Sequence, residues 1–325
     1  MLIKALGISL LSTLVDSLGT PITFLVAFWS KLQVKLGAER LPISFKIWDL
    51  FNLSPVNYHY YQPVFKVSEL SEDTWTKEDP LSGIDLNIEG QLALLQQFNY
   101  NADLEKFPLD KPKEDELKFY YNNWMFCSGD AEILYSLIRH FKPSRVIEIG
   151  SGFSTRIAKV AIDKNCSEGE ISQHICIEPY EAPWLEKLGV DQVIREKVES
   201  LPISYFQSLE KNDILFIDSS HVVRTGGDVV YEFLKVLPTL KSGVIVHIHD
   251  IFFPFEYPRN WLANKRWFWT EQYLLQSFLS FNSEFEVLLA LNYLSHHYRE
   301  ALNLKCPIFA KQKDQLASSF WIRKR

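Results

Sequence analysis

The chain has 325 residues and a formal net charge of −6; 47% of its residues are hydrophobic and 23% are charged. This composition is that of a globular protein, and the negative balance offers no basic surface for a polyphosphate, which excludes nucleic acid as the expected substrate. The four cysteines show no CxxC pair and no Cys/His spacing. A zinc site and a disulfide framework are therefore disfavoured, and a cytoplasmic protein in a reducing compartment is expected.

The first 30 residues are mostly apolar, with Lys4 and Asp16 as their only charges. The longest uncharged run, Ser17 to Ser30, is short for a bilayer span and contains a glycine and a proline. The weakly basic start, without a small-residue cleavage site, disfavours a secretion signal. We predict a helix that packs on the following domain or on a partner, and the alternatives of peripheral membrane contact and a true span stay open.

Residues 31–118 are rich in turn formers and then in charged residues broken by prolines. We predict that residues 1–118 form a partly helical N-terminal extension, which packs on or covers a domain at residues 119–325. Homo-oligomerisation is left open.

From residue 128 onward the apolar pattern becomes regular. A helix with Ser128 as its N-cap is followed by a strand at 146–149, a glycine turn and a helix from about Thr155. Short apolar runs at 175–177, 193–194, 214–217 and 244–246 alternate with helical stretches such as 229–237, and two further strands are expected at 285–291 and 319–322. This alternation predicts a doubly wound α/β domain with a mostly parallel sheet.

The turn after the first strand is the expected ligand site, because ligands of such sheets bind beyond the carboxyl ends of the strands. Gly150 and Gly152 allow close approach of the backbone, and the next helix offers free N–H groups. Glu178 follows the second strand, where a carboxylate can accept both hydroxyls of a ribose. A dinucleotide fingerprint would place its third glycine at the position of Thr155, so a nicotinamide cofactor is disfavoured.

Two groups of motifs resemble known methyltransferases. The segment Ser128-Gly129-Asp130-Ala131, followed by a helix and Val146-Ile147-Glu148-Ile149-Gly150, resembles small-molecule O-methyltransferases of the catechol type and metal-dependent sugar O-methyltransferases. The pair Asp218-Ser219-Ser220-His221 and His247-Ile248-His249-Asp250 is similar to uncharacterised bacterial methyltransferase-domain proteins. The resemblance covers about residues 124–255. It implies a class I S-adenosylmethionine (SAM)-dependent methyltransferase domain at 119–325, with a Rossmann-like sheet that has an antiparallel C-terminal strand.

The resemblance also implies a set of cofactor contacts. Glu148 and the glycine turn would hold the methionine end of SAM, Glu178 the ribose, and Glu199 with Ser200 the adenine. The full set implied for cofactor binding is Ser128, Gly129, Glu148, Gly150, Ser151, Gly152, Thr155, Glu178, Glu199, Ser200 and Asp218.

A divalent metal is the second implication. Asp218, His249 and Asp250 stand where catechol-type enzymes hold their ion, and His221 stands at the position of their lysine base. The resemblance thus implies His221, Asp218 and Asp250 as catalytic residues. An imidazole ligand suits Mn, Fe or Zn better than Mg, so the identity of the ion and its presence stay open. The alternative is that His221 and His249 only form hydrogen bonds.

An aromatic segment follows Asp250 and either lines an acceptor pocket or packs in the core. Arg224, Glu256 and Tyr257 are candidates to orient the acceptor. We expect an O-methyltransferase acting on a small molecule or a glycan, in natural product or envelope glycan modification. An N-methyltransferase, a metal-dependent hydroxylase-like relative and a non-catalytic binding protein remain alternatives.

Overall fold

The computed structural model describes residues 2–325, with side chains from Ile8 onward. Its contacts form two compact units, residues 1–71 and residues 72–325. The first unit contains helices α1 (Leu2–Leu36) and α2 (Pro42–Leu50), which confirms the helical N-terminal segment. The apolar side chains of α1 from Ile8 to Leu36 are exposed.

The second unit is built on one seven-stranded sheet. The strands are β1 (Arg145–Ile149), β2 (Gln173–Ile177), β3 (Gln192–Ile194), β4 (Ile214–Ile217), β5 (Ile245–Ile248), β6 (Phe285–Ala290) and β7 (Phe320–Lys324). Their order is β3-β2-β1-β4-β5-β7-β6, and β7 is antiparallel to both of its neighbours, whereas the first five strands are parallel. The predicted doubly wound sheet and its closing strands are confirmed.

The remaining helices lie between the strands and before them. They are α3 (Asp73–Thr76), α4 (Ile88–Gln97), α5 (Asn101–Leu104), α6 (Asp130–Phe141), α7 (Phe153–Ser167), α8 (Pro183–Lys187), α9 (Ile203–Phe206), α10 (Asp228–Tyr231), α11 (Glu271–Leu279), α12 (Leu291–His297) and α13 (Arg299–Lys305). Alternate residues of β1 bury on opposite faces of the sheet. Val146 packs in the cluster that includes α6 and α7, and Ile147 packs in the cluster on the other face. Each such buried aliphatic side chain contributes about 1.5–3 kcal/mol.

Three helix boundaries differ from the prediction. Helix α6 has Gly129 as its N-cap, at φ +83°, and the Glu132 carboxylate accepts a hydrogen bond from the Gly129 N–H at 3.0 Å. Helix α7 begins at Phe153 because the Thr155 hydroxyl already caps the Gly152 N–H at 3.0 Å. The helix predicted at 229–237 consists of α10, one π-helical turn (Glu232–Val236) and a 3₁₀ turn (Leu237–Thr239).

Helix α4 packs on β6, which is an edge strand of the sheet. The Asn87 amide donates to the Val287 carbonyl at 3.0 Å, and the Gln91 side-chain oxygen accepts from the Ala290 N–H at 2.8 Å. These contacts satisfy edge groups that would otherwise be free to pair with another chain. The domain boundary at residue 118 stays a prediction.

Candidate active site

The glycine turn lies where β1 ends and α7 begins. Gly150 has φ +82°, and a Cβ atom at this position would overlap the main-chain oxygen of Asp218. The Gly150 N–H donates to the Ile177 carbonyl at 3.0 Å, and the Asp218 N–H donates to the Ile149 carbonyl at 2.9 Å. The ends of β1, β2 and β4 are therefore joined at a point where only glycine fits.

A cavity of about 270 Å³ opens at these strand ends. Its walls include Gly150, Glu178, Glu199, Asp218 and Arg224. The two carboxylate oxygens of Glu178 accept hydrogen bonds from the N–H groups of Ser151 (3.2 Å) and Tyr180 (3.0 Å). The glycine turn and this carboxylate thus border one cleft, as a SAM site requires.

Several predicted cofactor residues lie outside the lining of this cavity. Glu148 is fully buried on β1, where its carboxylate pairs with His174 Nε2 at 2.7 Å and accepts from the Cys176 thiol at 3.5 Å. Ser128 is also buried, and its hydroxyl bonds to the Gln312 side chain. Ser200 is exposed.

Three predicted catalytic residues come together at the ends of β4 and β5. His221 Nε2 lies 3.2 Å from an Asp218 oxygen and 3.7 Å from an Asp250 oxygen. On its other side, His221 Nδ1 lies 2.8 Å from the carboxylate of Glu271, a fully buried residue. Because Asp218 also lines the cofactor cavity, the cavity and this cluster share a wall.

Glu271 is a residue that the sequence did not single out. It is the first residue of α11, 50 residues after His221. Acidic side chains are common in the first turn of a helix, so its position gave no functional signal. In the structure the His221 carbonyl accepts from the N–H groups of Thr270 (2.9 Å) and Glu271 (3.1 Å). The start of α11 is therefore fixed directly to the His221 backbone.

The backbone at the cluster is held in an uncommon conformation. His221 has φ +60° and Asp250 has φ +54°. Non-glycine residues adopt such angles at a cost of order 1–3 kcal/mol each, and they persist where surrounding contacts fix them. For His221 those contacts come from α11, and for Asp250 one is the Ser318 hydroxyl, which donates to its carboxylate at 3.0 Å.

The charges of the cluster act on one another. Burial opposes a charged His221, but hydrogen bonds to Asp218 and Glu271 and the charge of Asp250 outweigh it, so the pKa of His221 lies well above its usual value. Burial likewise opposes a charged Asp218, yet the neighbouring histidines, first His249 and then His221, lower its pKa to about 2. The carboxylates around His221 therefore favour its charged form.

His249, the third predicted metal ligand, is not part of this tight group. Ligand atoms of Asp218, His221 and Asp250 all lie within 4.8 Å of one another. His249 Nε2 lies 3.7 Å from an Asp250 oxygen, and the centroid of its ring lies 5.0 Å from that of Phe126. The carboxylates of Asp218 and Asp250, with His249 Nε2 beside Asp250, form a donor set of the kind that suits a divalent ion such as Mn or Fe.

The neighbouring histidines are structural. His247 stacks on Phe216 at 3.9 Å and bonds to the Ser319 hydroxyl at 2.9 Å, so it packs inside the sheet. His296 and His297 are exposed.

The three predicted acceptor residues have different surroundings. Arg224 is exposed and lines the cofactor cavity. Glu256 accepts a hydrogen bond from the Tyr273 hydroxyl at 2.5 Å. Tyr257 is buried, and its hydroxyl accepts from the Gln272 N–H at 3.0 Å, so it supports α11 rather than facing an open cleft.

The aromatic segment, residues 252–269, contributes both to the core and to a wall beside His221. Phe252 and Phe253 are buried. The ring of Trp269 lies 4.2 Å from the His221 ring and stacks on Trp267 at 4.9 Å with an interplanar angle of 8°. The segment is fixed next to the cluster at both ends.

The two anchors of this segment are main-chain hydrogen bonds. At its start the Ile251 N–H donates to the Ser318 carbonyl at 2.8 Å, and at its end the Thr270 N–H donates to His221. The eighteen positions between them leave the sheet and return to the same cluster.

The fold and the cleft define a class I SAM-dependent methyltransferase. In agreement, residues 147–251 match a family described as a methyltransferase domain. An uncharacterised protein of Archaeoglobus fulgidus is 33% identical over 168 residues, which cover 48% of this chain and 74% of that protein. The chain belongs to this methyltransferase family, and SAM is its cofactor.

Solved methyltransferases show more distant similarity. The O-methyltransferase TomG from Streptomyces achromogenes, in complex with SAM, is 14% identical, with a TM-score of 0.34 over 60% of this chain and 78% of TomG. An O-methyltransferase from Bacillus cereus is 13% identical, with a TM-score of 0.36 over 72% of this chain and 90% of that one.

Proposed function

We propose that the chain is an O-methyltransferase that transfers the methyl group of SAM to a hydroxyl of a small molecule or a glycan, with His221 as general base. The observation that carries the proposal is the position of Asp218. This residue borders the cofactor cavity and also lies 3.2 Å from His221 Nε2. A hydroxyl beside Asp218 therefore faces both a methyl donor and a proton acceptor.

The residues divide the chemistry as follows. The glycine turn and Glu178 would bind SAM at the strand ends that also carry the cluster. As the acceptor oxygen attacks, His221 Nε2 takes its proton, and the Glu271 carboxylate at Nδ1 stabilises the imidazolium that forms. For this step His221 must begin neutral, which requires a positive charge that offsets the surrounding carboxylates.

A divalent ion would supply that positive charge. Asp218 and Asp250 would hold it, with His249 Nε2 as a further donor next to Asp250. When bound, it would lower the pKa of an acceptor hydroxyl and offset the carboxylate charge that favours a protonated His221.

The surroundings of the cluster favour an acceptor with a flat or apolar face. Trp267 and Trp269 stack as one wall beside His221, and Arg224 and Lys197 are exposed cations of the cavity wall. Aromatic walls with few polar groups bind sugar rings and polyketide-like rings by contact.

The first test is calorimetric titration with SAM and S-adenosylhomocysteine, with and without Mn or Mg, followed by a screen of hydroxyl acceptors for release of S-adenosylhomocysteine. We expect His221→Gln to bind SAM as the wild type does and to lose turnover, whereas His296→Gln, a change on the surface, keeps both. Full turnover of His221→Gln would exclude it as the base, and full activity in a chelator would exclude the ion. Methylation of amines alone would replace the O-methyltransferase assignment.

A further inference from the structure

The N-terminal helix α1 presents an apolar surface that nothing in the described chain covers. The most apolar 18-residue stretch within the candidate span Ile8–Leu36 has a mean hydropathy of 1.5, and none of it is buried. Leu18, Phe24 and Leu25 are 72%, 71% and 67% exposed. A helix with this surface is not stable in water and requires an apolar environment.

The apolar residues of α1 cover more than half of its circumference. Phe24, Leu25 and Val26 are all exposed, and successive residues of a helix point about 100° apart, so they face three different directions. The remaining side carries a stripe of hydroxyl and carboxyl side chains: Ser9, Ser12, Thr13, Asp16, Thr20 and Thr23. The Thr13 and Thr20 hydroxyls donate to main-chain carbonyls four residues before them, and hydroxyls bonded within their own helix are tolerated in hydrocarbon. The choice of a span over a helix that lies flat or pairs with another copy therefore rests on the length of the stretch and on the residues that follow it.

The length of the apolar stretch matches a bilayer. Between Ile8 and Ser30 the only charge is Asp16, and 23 residues at about 1.5 Å each extend for roughly 35 Å. The hydrocarbon core is about 30 Å thick, so the helix crosses it with a moderate tilt. The uncharged run Ser17 to Ser30 begins after Asp16, and for that reason it is too short by itself to span a bilayer.

The residues after the stretch are those of a membrane surface. Basic side chains follow at Lys31, Lys35, Arg40 and Lys46, and Trp29 stands at the boundary. Basic residues near a span remain on the cytoplasmic side, and tryptophan is enriched at the interface.

Helix α2 carries a second exposed apolar surface immediately after these charges. Ile43, Ile47 and Leu50 are 76%, 50% and 80% exposed, and they recur at intervals of three and four residues. An amphipathic helix of this kind lies in the headgroup region.

We propose that α1 spans a lipid bilayer once, with α2 in the interface and the methyltransferase unit on the cytoplasmic side. The proposal is independent of the acceptor and of the metal, because it rests on residues 8–50 alone. It differs from the initial prediction, in which the segment packs on the following domain or on a partner.

The test uses the full chain expressed in bacterial cells. We expect the protein to stay with the membrane pellet after alkaline carbonate washing and to be released only by detergent. The double variant Phe24→Lys/Leu25→Lys should lose most of this retention. The matched control Ile171→Lys/Leu304→Lys changes two equally exposed apolar residues of the second unit and should be retained as the wild type is.

Two further measurements separate the alternatives. Cys166 is exposed in the second unit and should react with a membrane-impermeant maleimide in inside-out vesicles but not in intact spheroplasts, with Cys166→Ser as the control. Intact mass should include residues 1–30. Release by carbonate, a soluble wild-type protein, a mature chain that lacks the first 30 residues or labelling in spheroplasts would each overturn the proposal. SAM binding by the soluble double variant shows that it is folded.

Discussion

The pair formed by Glu271 and His221 allows a prediction that needs no acceptor. In Glu271→Gln the side chain keeps its shape and its amide oxygen can still accept from Nδ1–H, so the hydrogen bond survives and only the charge is lost. Hydrogen bonds to charged partners contribute about 1.5–3 kcal/mol and neutral ones about 0.5–1.5, a difference of roughly 1–2 kcal/mol for a buried pair at 2.8 Å. At about 1.4 kcal/mol per unit, the pKa of His221 should fall by about one unit.

The measurement is the titration of imidazole resonances by NMR on protein with labelled histidine. The chain has eight histidines, and the resonance of His221 is the one missing from His221→Gln. The control Glu284→Gln removes an exposed carboxylate just before β6 and should leave the pKa of His221 unchanged. A His221 pKa that stays the same or rises in Glu271→Gln would refute the role of Glu271.

The same pair determines how stability depends on pH. The folded-state pKa of His221 lies above its unfolded value of about 6.5, so its interactions stabilise the fold fully below that pH and are lost as the pH rises through the folded-state pKa. Glu271→Gln should make thermal stability less dependent on pH over this alkaline range.

Three other changes have expected outcomes. Gly150→Ala should abolish SAM binding in calorimetry and lower Tm, because its Cβ meets the Asp218 carbonyl and its φ is positive; wild-type affinity would contradict the described turn. Glu178→Ala should weaken SAM binding about 10- to 100-fold, since a charge-assisted contact contributes about 1.5–3 kcal/mol, while the exposed Glu181→Ala should not; equal effects would remove Glu178 from the ribose site. Asp250→Asn should reduce bound Mn, measured by elemental analysis, without loss of SAM binding; unchanged metal content would exclude Asp250 as a ligand.

The sheet was predictable because each buried strand is a short apolar run in the sequence. The glycine turn was predictable because Gly150 and Gly152 directly follow the first of these strands. The convergence of Asp218, His221 and Asp250 was predictable for a related reason, since the carboxyl ends of parallel strands meet at one edge. These features depend on local pattern and on topology that the pattern implies.

What the sequence did not reveal depends on contacts between distant residues. Glu148 was predicted to contact the cofactor, yet its neighbour across the strand pair is Cys176 and it bonds to His174; only strand register shows this. Glu271 contacts His221 because α11 starts at the His221 carbonyl, and no spacing rule connects residues 50 positions apart.

The aromatic segment with both ends fixed at the cluster has a consequence for the evolution of this enzyme. Main-chain bonds from Ile251 to Ser318 and from Thr270 to His221 hold its ends, and the buried Tyr257 and the Trp269 ring fix it against α11 and His221. The exposed residues 263–266 in between can therefore be exchanged, lengthened or shortened while the His221 cluster stays in place. Swapping this stretch between relatives offers a route to enzymes with new acceptor preferences on an unchanged catalytic frame.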